Sequence, residues 1–159
     1  MALEKANMII PIIRAEIHDF TISAGVGEHT VRGLNTGGQL PSRMIFGLID
    51  NLAFSGNINK NPYYFNNYNL ASADVSIGDS ISPYSDPIKI DFKKNKFMQA
   101  YDTLFRGINP QLEKYGNGIS HEMFKNNTTL ICFDLTADEC GLDVFNVKSA
   151  GYLSLSDIY

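Results

Sequence analysis

Apolar and polar positions alternate with a period of two in several short stretches of this chain, the signature of half-buried β-strands. In residues 12–22, Ile13, Ala15 and Ile17 fall on one face and Arg14, Glu16 and His18 on the other, which predicts a first strand. The small-residue run Ala24-Gly25-Val26-Gly27 ends it. Residues 30–34 predict a short strand, and 35–38 carry turn chemistry. Residues 43–50 read differently. Met44, Ile45, Phe46, Leu48 and Ile49 form a nearly continuous apolar run, which predicts a central strand buried on both faces. Alternation returns in 70–77, with Ala71, Ala73, Val75 and Ile77 against Ser72, Asp74 and Ser76, followed by a hairpin turn at Gly78-Asp79. Ile88, Ile90 and Phe92 give one face of a further short strand.

The period then changes. Phe97, Tyr101, Leu104, Phe105 and Ile108 form one apolar stripe of a helix of about three turns, ending near Gly107 and Pro110. Ser120 is placed to cap a short turn through Lys125, with Glu122 near its N-terminus. Residues 129–135 predict a buried strand and 152–155 a last short one. Strands separated by turns, with one helix inserted in a connection, predict an all-β fold: an antiparallel β-sandwich, a jelly roll or another Greek-key variant.

Between the strands at 43–50 and 70–77 runs a long irregular connection, residues 51–69, rich in Asn, Gly and aromatics. Pro62 pushes Asn61 towards extended backbone. Tyr63, Tyr64, Phe65 and Tyr68 stand among Asn61, Asn66, Asn67 and Asn69. Two readings follow. Alternate rings are buried and hold the loop in place, each contributing about 1.5–3 kcal/mol, or the rings line a binding platform whose candidates are Asn61, Tyr63, Tyr64 and Tyr68. Burial is the favoured reading.

Composition narrows the partners. The chain has 159 residues, 44% of them hydrophobic and 11% aromatic, which fits a single packed domain without staples. A net charge of −4 argues against a nucleic-acid grip, which needs clustered cations to displace counterions. Lys93, Lys94 and Lys96 read as a solvated turn. The apolar stretch 8–13 is broken by Pro11 and lacks a small-residue cleavage site, so no signal peptide is read. No apolar run reaches the roughly 18 residues that a membrane span needs. Cys132 and Cys140 are too few for a disulfide framework, and a reducing compartment fits. The overlapping sequons at 126–129 read as chance in an Asn-rich chain.

Catalytic and metal-binding patterns are not evident. His18, His29 and His121 are scattered, with no metal-ligand spacing to another His or Cys. Ser120-His121 has no nucleophile-elbow context. Gly25-Val26-Gly27 lacks the third glycine of a dinucleotide fingerprint. Asp50, Asp91, Asp134, Asp138 and Asp143 sit at the ends of apolar runs, where turn capping is favoured over a calcium site. The expectation is no enzyme, no catalytic residue, no metal and no cofactor.

At several of these runs the chain resembles a known family. The stretches 38–43 (GQLPSR), 47–56 (GLIDNLAFSG) and 60–65 (KNPYYF) are similar to double jelly-roll major capsid proteins of polinton-type transposable elements and adintovirus-like DNA viruses. The likeness continues at 11–16 (PIIRAE), 68–70 (YNL), 100–107 (AYDTLFRG), 116–120 (GNGIS) and 133–138 (FDLTAD). The resemblance implies a linker over 1–10 and a single jelly-roll domain over 11–159, similar to the C-terminal half of such a capsid protein. It implies trimers formed by self-association or with other capsid subunits, no direct nucleic-acid or membrane contact, and a virion location if viral, otherwise an intracellular, non-secreted one. Gly38, Pro41, Asp50, Asn51, Phe54, Lys60, Asn61, Pro62 and Phe65 would shape the loops, with Tyr101, Leu104 and Phe105 in the core. The family's first jelly roll and further closing strands are missing, so a fragment with an unpaired, association-prone edge is expected. The alternative is a host-retained jelly-roll module that binds carbohydrate or protein through the Asn/Tyr loop. A hydrolase built on scattered Asp and His is the weakest reading.

Overall fold

The structure is a computed structural model, and it describes residues 14–34, 40–77, 80–81, 86–108, 117–136 and 153–156. The protein is β-rich. Its strands are β1 (Val31–Arg32), β2 (Arg43–Gly47), β3 (Ser72–Ile77), β4 (Ser80–Ile81), β5 (Ile88–Lys89), β6 (Leu130–Asp134) and β7 (Leu153–Ser156). Among the described residues three helices interrupt them: α1 (Asn51–Phe54), α2 (Met98–Ile108) and α3 (His121–Asn126). The expected single helix is thus corrected: α1 and α3 are short capped helices with no apolar stripe along them.

Among the described residues two sheets form, and every ladder is antiparallel. The larger has the order β1-β7-β3-β4, with β5 also pairing β3. The last strand lies inside this sheet: Leu155 of β7 is opposite both Val31 of β1 and Val75 of β3. The second sheet pairs β2 with β6, from Arg43 opposite Asp134 to Gly47 opposite Leu130. Ile77 pairs with Ser80, which fits the expected hairpin; its turn residues Gly78 and Asp79 lie outside the described residues, as do 1–13, 35–39 and Tyr152.

Two predicted strands need correction. Residues 14–22 form no strand pairing among the described residues, and Ile17 is 95% exposed. Their alternation is nonetheless visible: Glu16 meets Arg14 at 2.7 Å and His18 at 3.6 Å, side by side on one face as i, i+2 neighbours of a strand are. Alternation prescribes a face, and a strand also needs a neighbouring edge. The run at 43–50 is not a central strand. It ends at Gly47, its side chains are half-buried, and Ile45 is 52% exposed. The strand buried on both faces is β3, where Ala73, Asp74 and Val75 are all buried.

The core lies where α2 packs on β6. Leu104 and Ala100 on α2 face Ile131, Cys132 and Phe133 within one buried cluster. The contact is close at Gly107, where a Cβ would collide with the Cys132 sulfur and come within 2.9 Å of its Cβ. The Arg43 guanidinium donates to the Gly107 carbonyl at 2.6 Å, joining β2 to the C-terminal turn of the helix, where a cation is favoured. Around α3 the rings pack on one another. Phe124 lies 5.9 Å from Phe97 and 5.3 Å from Tyr101, and Phe92 stacks on Phe97 at 5.6 Å. Ser120 caps α3 as expected, its hydroxyl accepting from the Met123 N–H at 3.2 Å.

Candidate functional site

The Asn-rich connection between β2 and β3 is built and held almost without its tyrosines. Asp50 opens it as the N-cap of α1, its Oδ1 accepting from the Leu52 N–H at 2.8 Å. Its other oxygen takes the Lys60 ammonium at 3.0 Å. The Lys60 bond, then the Leu52 N–H, hold the Asp50 carboxyl below the usual carboxylate range. The stabilisation from that shift is present above the unfolded carboxyl's pKa and is lost as pH falls through the folded one. α1 ends on Gly56 in the left-handed region at φ 86°, with Gly56 N–H to Ala53 and Asn57 N–H to Leu52 closing a Schellman turn.

Three asparagines then turn the chain in the same way. Asn57 accepts from the Asn59 N–H at 2.9 Å, Asn61 from Tyr63 at 2.9 Å and Asn67 from Asn69 at 2.8 Å. Each is an Asx turn, in which a side chain replaces a backbone acceptor two residues on. The Asn67 amide also donates to the Lys125 carbonyl at 2.6 Å.

Phe65 provides the central tie. Its N–H donates to Asn127 and its carbonyl accepts from Thr129, both at 2.9 Å, while Asn66 N–H reaches Leu48 at 3.1 Å. Phe65 bridges Ile49 on one side and Thr128 on the other, so the connection lies between extensions of β2 and β6. Gly47 makes room for the ring: a Cβ there would stand 2.8 Å from the Phe65 ring and 2.7 Å from Leu130.

The favoured expectation of buried alternate rings is corrected here. Tyr63 is 80% exposed, Tyr64 50% and Tyr68 52%, and only Phe65 is half-buried. Leu52, Phe54 and Ile58 of the same connection are exposed too. The asparagines and the bridging backbone order the loop, so the rings are not needed for that. Asn61, Tyr63, Tyr64 and Tyr68 thus share one pinned, exposed connection. The roles of Asn57 and Asn67 went unread in the sequence, although the spacing of Asn to a following turn residue carries the signal.

Tyr68 has unusual backbone. Leu70 N–H donates to the Asn67 carbonyl at 2.8 Å, and the two residues between, Tyr68 and Asn69, have φ of 42° and 55°. Two positive φ values at the centre of a four-residue turn belong to type I′, where Gly, Asn and Asp dominate. Asn69 fits that pattern. A bulky tyrosine there is an outlier.

The remaining polar candidates have structural partners. Asp91 accepts from the Lys94 N–H at 3.0 Å, which holds its carboxyl below the usual range, and Lys94 lies in the solvated turn read from sequence. Asp134 accepts from Thr136 N–H and hydroxyl at 3.0 and 2.6 Å. His121 packs edge-on against Tyr101 at 4.4 Å, and Tyr101 donates to the Ile119 carbonyl at 2.7 Å. Burial pushes the Cys132 thiol up to about 11. Asp138, Cys140 and Asp143 lie outside the described residues. Among the described residues, no three His, Cys, Asp or Glu side chains group to hold a metal ion, and no helix is long and apolar enough to cross a membrane.

No protein-family model matches the chain. It is similar to an uncharacterized protein of Caenorhabditis elegans, 26% identical over 136 residues that cover 84% of this chain and 32% of that protein, so the chain spans about a third of the relative's length. No solved structure matches.

Proposed function

We propose that the chain is a jelly-roll domain of capsid type, a structural subunit that works through shape and assembles with other subunits. The order of pairing carries this reading. A jelly roll is a long antiparallel ribbon wound into two sheets, so its first strand pairs with its last and its second with its penultimate. Among the described strands β1 pairs β7 and β2 pairs β6, in separate sheets, and β7 also pairs β3, an order that fits such a winding. The use of Asp50, Asp91, Asp134 and Ser120 as turn and helix caps supports a structural role over a hydrolytic one.

The exposed tyrosines favour a second reading, a single jelly-roll module that recognises carbohydrate or protein through the Asn/Tyr connection. An experimental structure together with electron microscopy of the purified chain separates the two. The capsid-type reading expects two wound sheets and ring-like oligomers of threefold or sixfold symmetry. A monomer that binds glycans, with binding abolished by Tyr64→Ala, contradicts it and establishes the second.

A further inference from the structure

We infer that Asn117 is a modification site, at which the fold presents an Asn-Gly step for spontaneous deamidation to aspartate and isoaspartate. The inference stands apart from the subunit reading above. A comparison within the chain carries it.

Four asparagines make the same Asx turn. Asn57, Asn61, Asn67 and Asn117 each accept, through Oδ1, from the N–H two residues on, Asn117 from Ile119 at 3.0 Å. The ring closed by that bond contains the backbone nitrogen of the next residue, so the turn folds the carboxamide back towards the atom that can attack it. After Asn57 and Asn67 that residue is Ile58 or Tyr68, whose side chains crowd the nitrogen. After Asn61 it is Pro62, whose nitrogen has no proton to lose. After Asn117 it is Gly118, and this is the one Asn-Gly step in the chain.

Gly118 is exposed, its φ is 73°, and a Cβ there would meet nothing within 4 Å. Water and base reach its nitrogen, and its backbone has the freedom that ring closure needs. The carboxamides differ as well. The Asn67 Nδ2 donates to the Lys125 carbonyl at 2.6 Å, whereas the Asn117 Nδ2 is buried with no hydrogen-bond partner. No other buried side-chain nitrogen or oxygen among the described residues is in that state. A buried donor without a partner is unfavourable, and its departure forfeits no bond.

The chemistry balances with water alone. The Gly118 nitrogen gives up its proton to base and bonds to Cγ of Asn117. The Cγ–Nδ2 bond breaks, and the nitrogen leaves as ammonia with a proton from water. Water then opens the succinimide at either carbonyl, giving aspartate or isoaspartate. Isoaspartate adds a methylene to the main chain and a negative charge beside Ile119. The Ile119 carbonyl accepts the Tyr101 hydroxyl at 2.7 Å, and Tyr101 packs on His121 and Phe124. Both ties of Ile119 then lose alignment, and the ring contact between α2 and α3 loosens.

The test incubates the purified native chain, and the same chain in denaturant, at mildly alkaline pH. Peptides are followed by mass spectrometry with fragmentation that tells isoaspartate from aspartate. Conversion is expected at residue 117, at least as fast in the native chain as in denaturant, with Asn57, Asn61 and Asn67 intact in the native chain. Gly118→Ala is expected to slow it by about tenfold or more. The acidic product, separated by anion exchange, is expected to melt below the fresh chain. Conversion at 117 that is absent in the native chain, or slower there than in denaturant, overturns the inference, because the fold then shields the step. Equal native conversion at Asn57 or Asn67 overturns the part given to glycine. A product that melts with the fresh chain overturns the loosened contact.

Discussion

The protein uses aromatic residues in two opposite ways. Around α3, Phe92, Phe97, Tyr101 and Phe124 pack ring against ring and hold helix to sheet. In the connection 51–69, Tyr63, Tyr64 and Tyr68 stand in solvent while asparagines and one phenylalanine order the chain. Ring content therefore does not decide where the core is. What decides it is whether something else has already satisfied the backbone. At α3 a helix of six residues has too few internal bonds to persist alone, so its one buried ring must anchor it. In the connection, side-chain amides supply the turns, and the tyrosine rings stay exposed.

The sharpest way to break this comparison is to remove one ring from each region. Phe124→Ala leaves a cavity among three other rings and is expected to cost about 3–5 kcal/mol, read from denaturant unfolding. The same measurement on Tyr63→Ser should move stability by no more than about 0.5 kcal/mol, the usual range for a surface change. Equal losses would make the two regions alike.

Gly107→Ala tests the packed side from the opposite direction, by adding an atom. With the Cys132 sulfur in the way, α2 must move off β6, at an expected cost of about 1–3 kcal/mol by the same measurement. On the other side, Asn67→Ala removes both its Asx turn and its bond to the Lys125 carbonyl, at an expected cost of about 1 kcal/mol. An asparagine at the surface should thus matter more than the tyrosine near it.

The smallest effect sharpens the picture of the packed side. Burial raises the Cys132 thiol from 9.0 to about 11, so its stabilisation is fully present below pH 9.0 and is lost as pH rises through about 11. Alkylation at pH 8, followed at this residue by mass spectrometry, should be slow in the native state and fast in denaturant. Ready native labelling would show an open α2–β6 contact.

The sequence was most readable where one physical rule acts alone. The helix α2 with Leu104 on its buried face, the Ser120 cap and the buried run of β6 appear as predicted. It was least readable where a neighbour decides. β2 has the more continuous apolar run, yet it is β3 that has partners on both edges and side chains buried on both faces. Periodicity encodes faces and cannot encode edges. The arm at 14–22 is the extreme case, patterned as a strand and unpaired among the described residues. The site was half legible: Asn61, Tyr63, Tyr64 and Tyr68 stood out by composition, but the sequence could not say that the asparagine turns and the Phe65 bridges would order the loop with the tyrosines exposed.

That sufficiency is the central claim, and amide hydrogen exchange tests it most directly. Exchange at Phe65, Asn69 and Leu70 should be compared between the natural chain and Tyr63→Ser/Tyr64→Ser/Tyr68→Ser. The account predicts that all three amides keep their protection when the rings are gone. Collapse of that protection to the level of an unfolded chain would mean that the tyrosines order the connection after all, and would contradict a prebuilt surface.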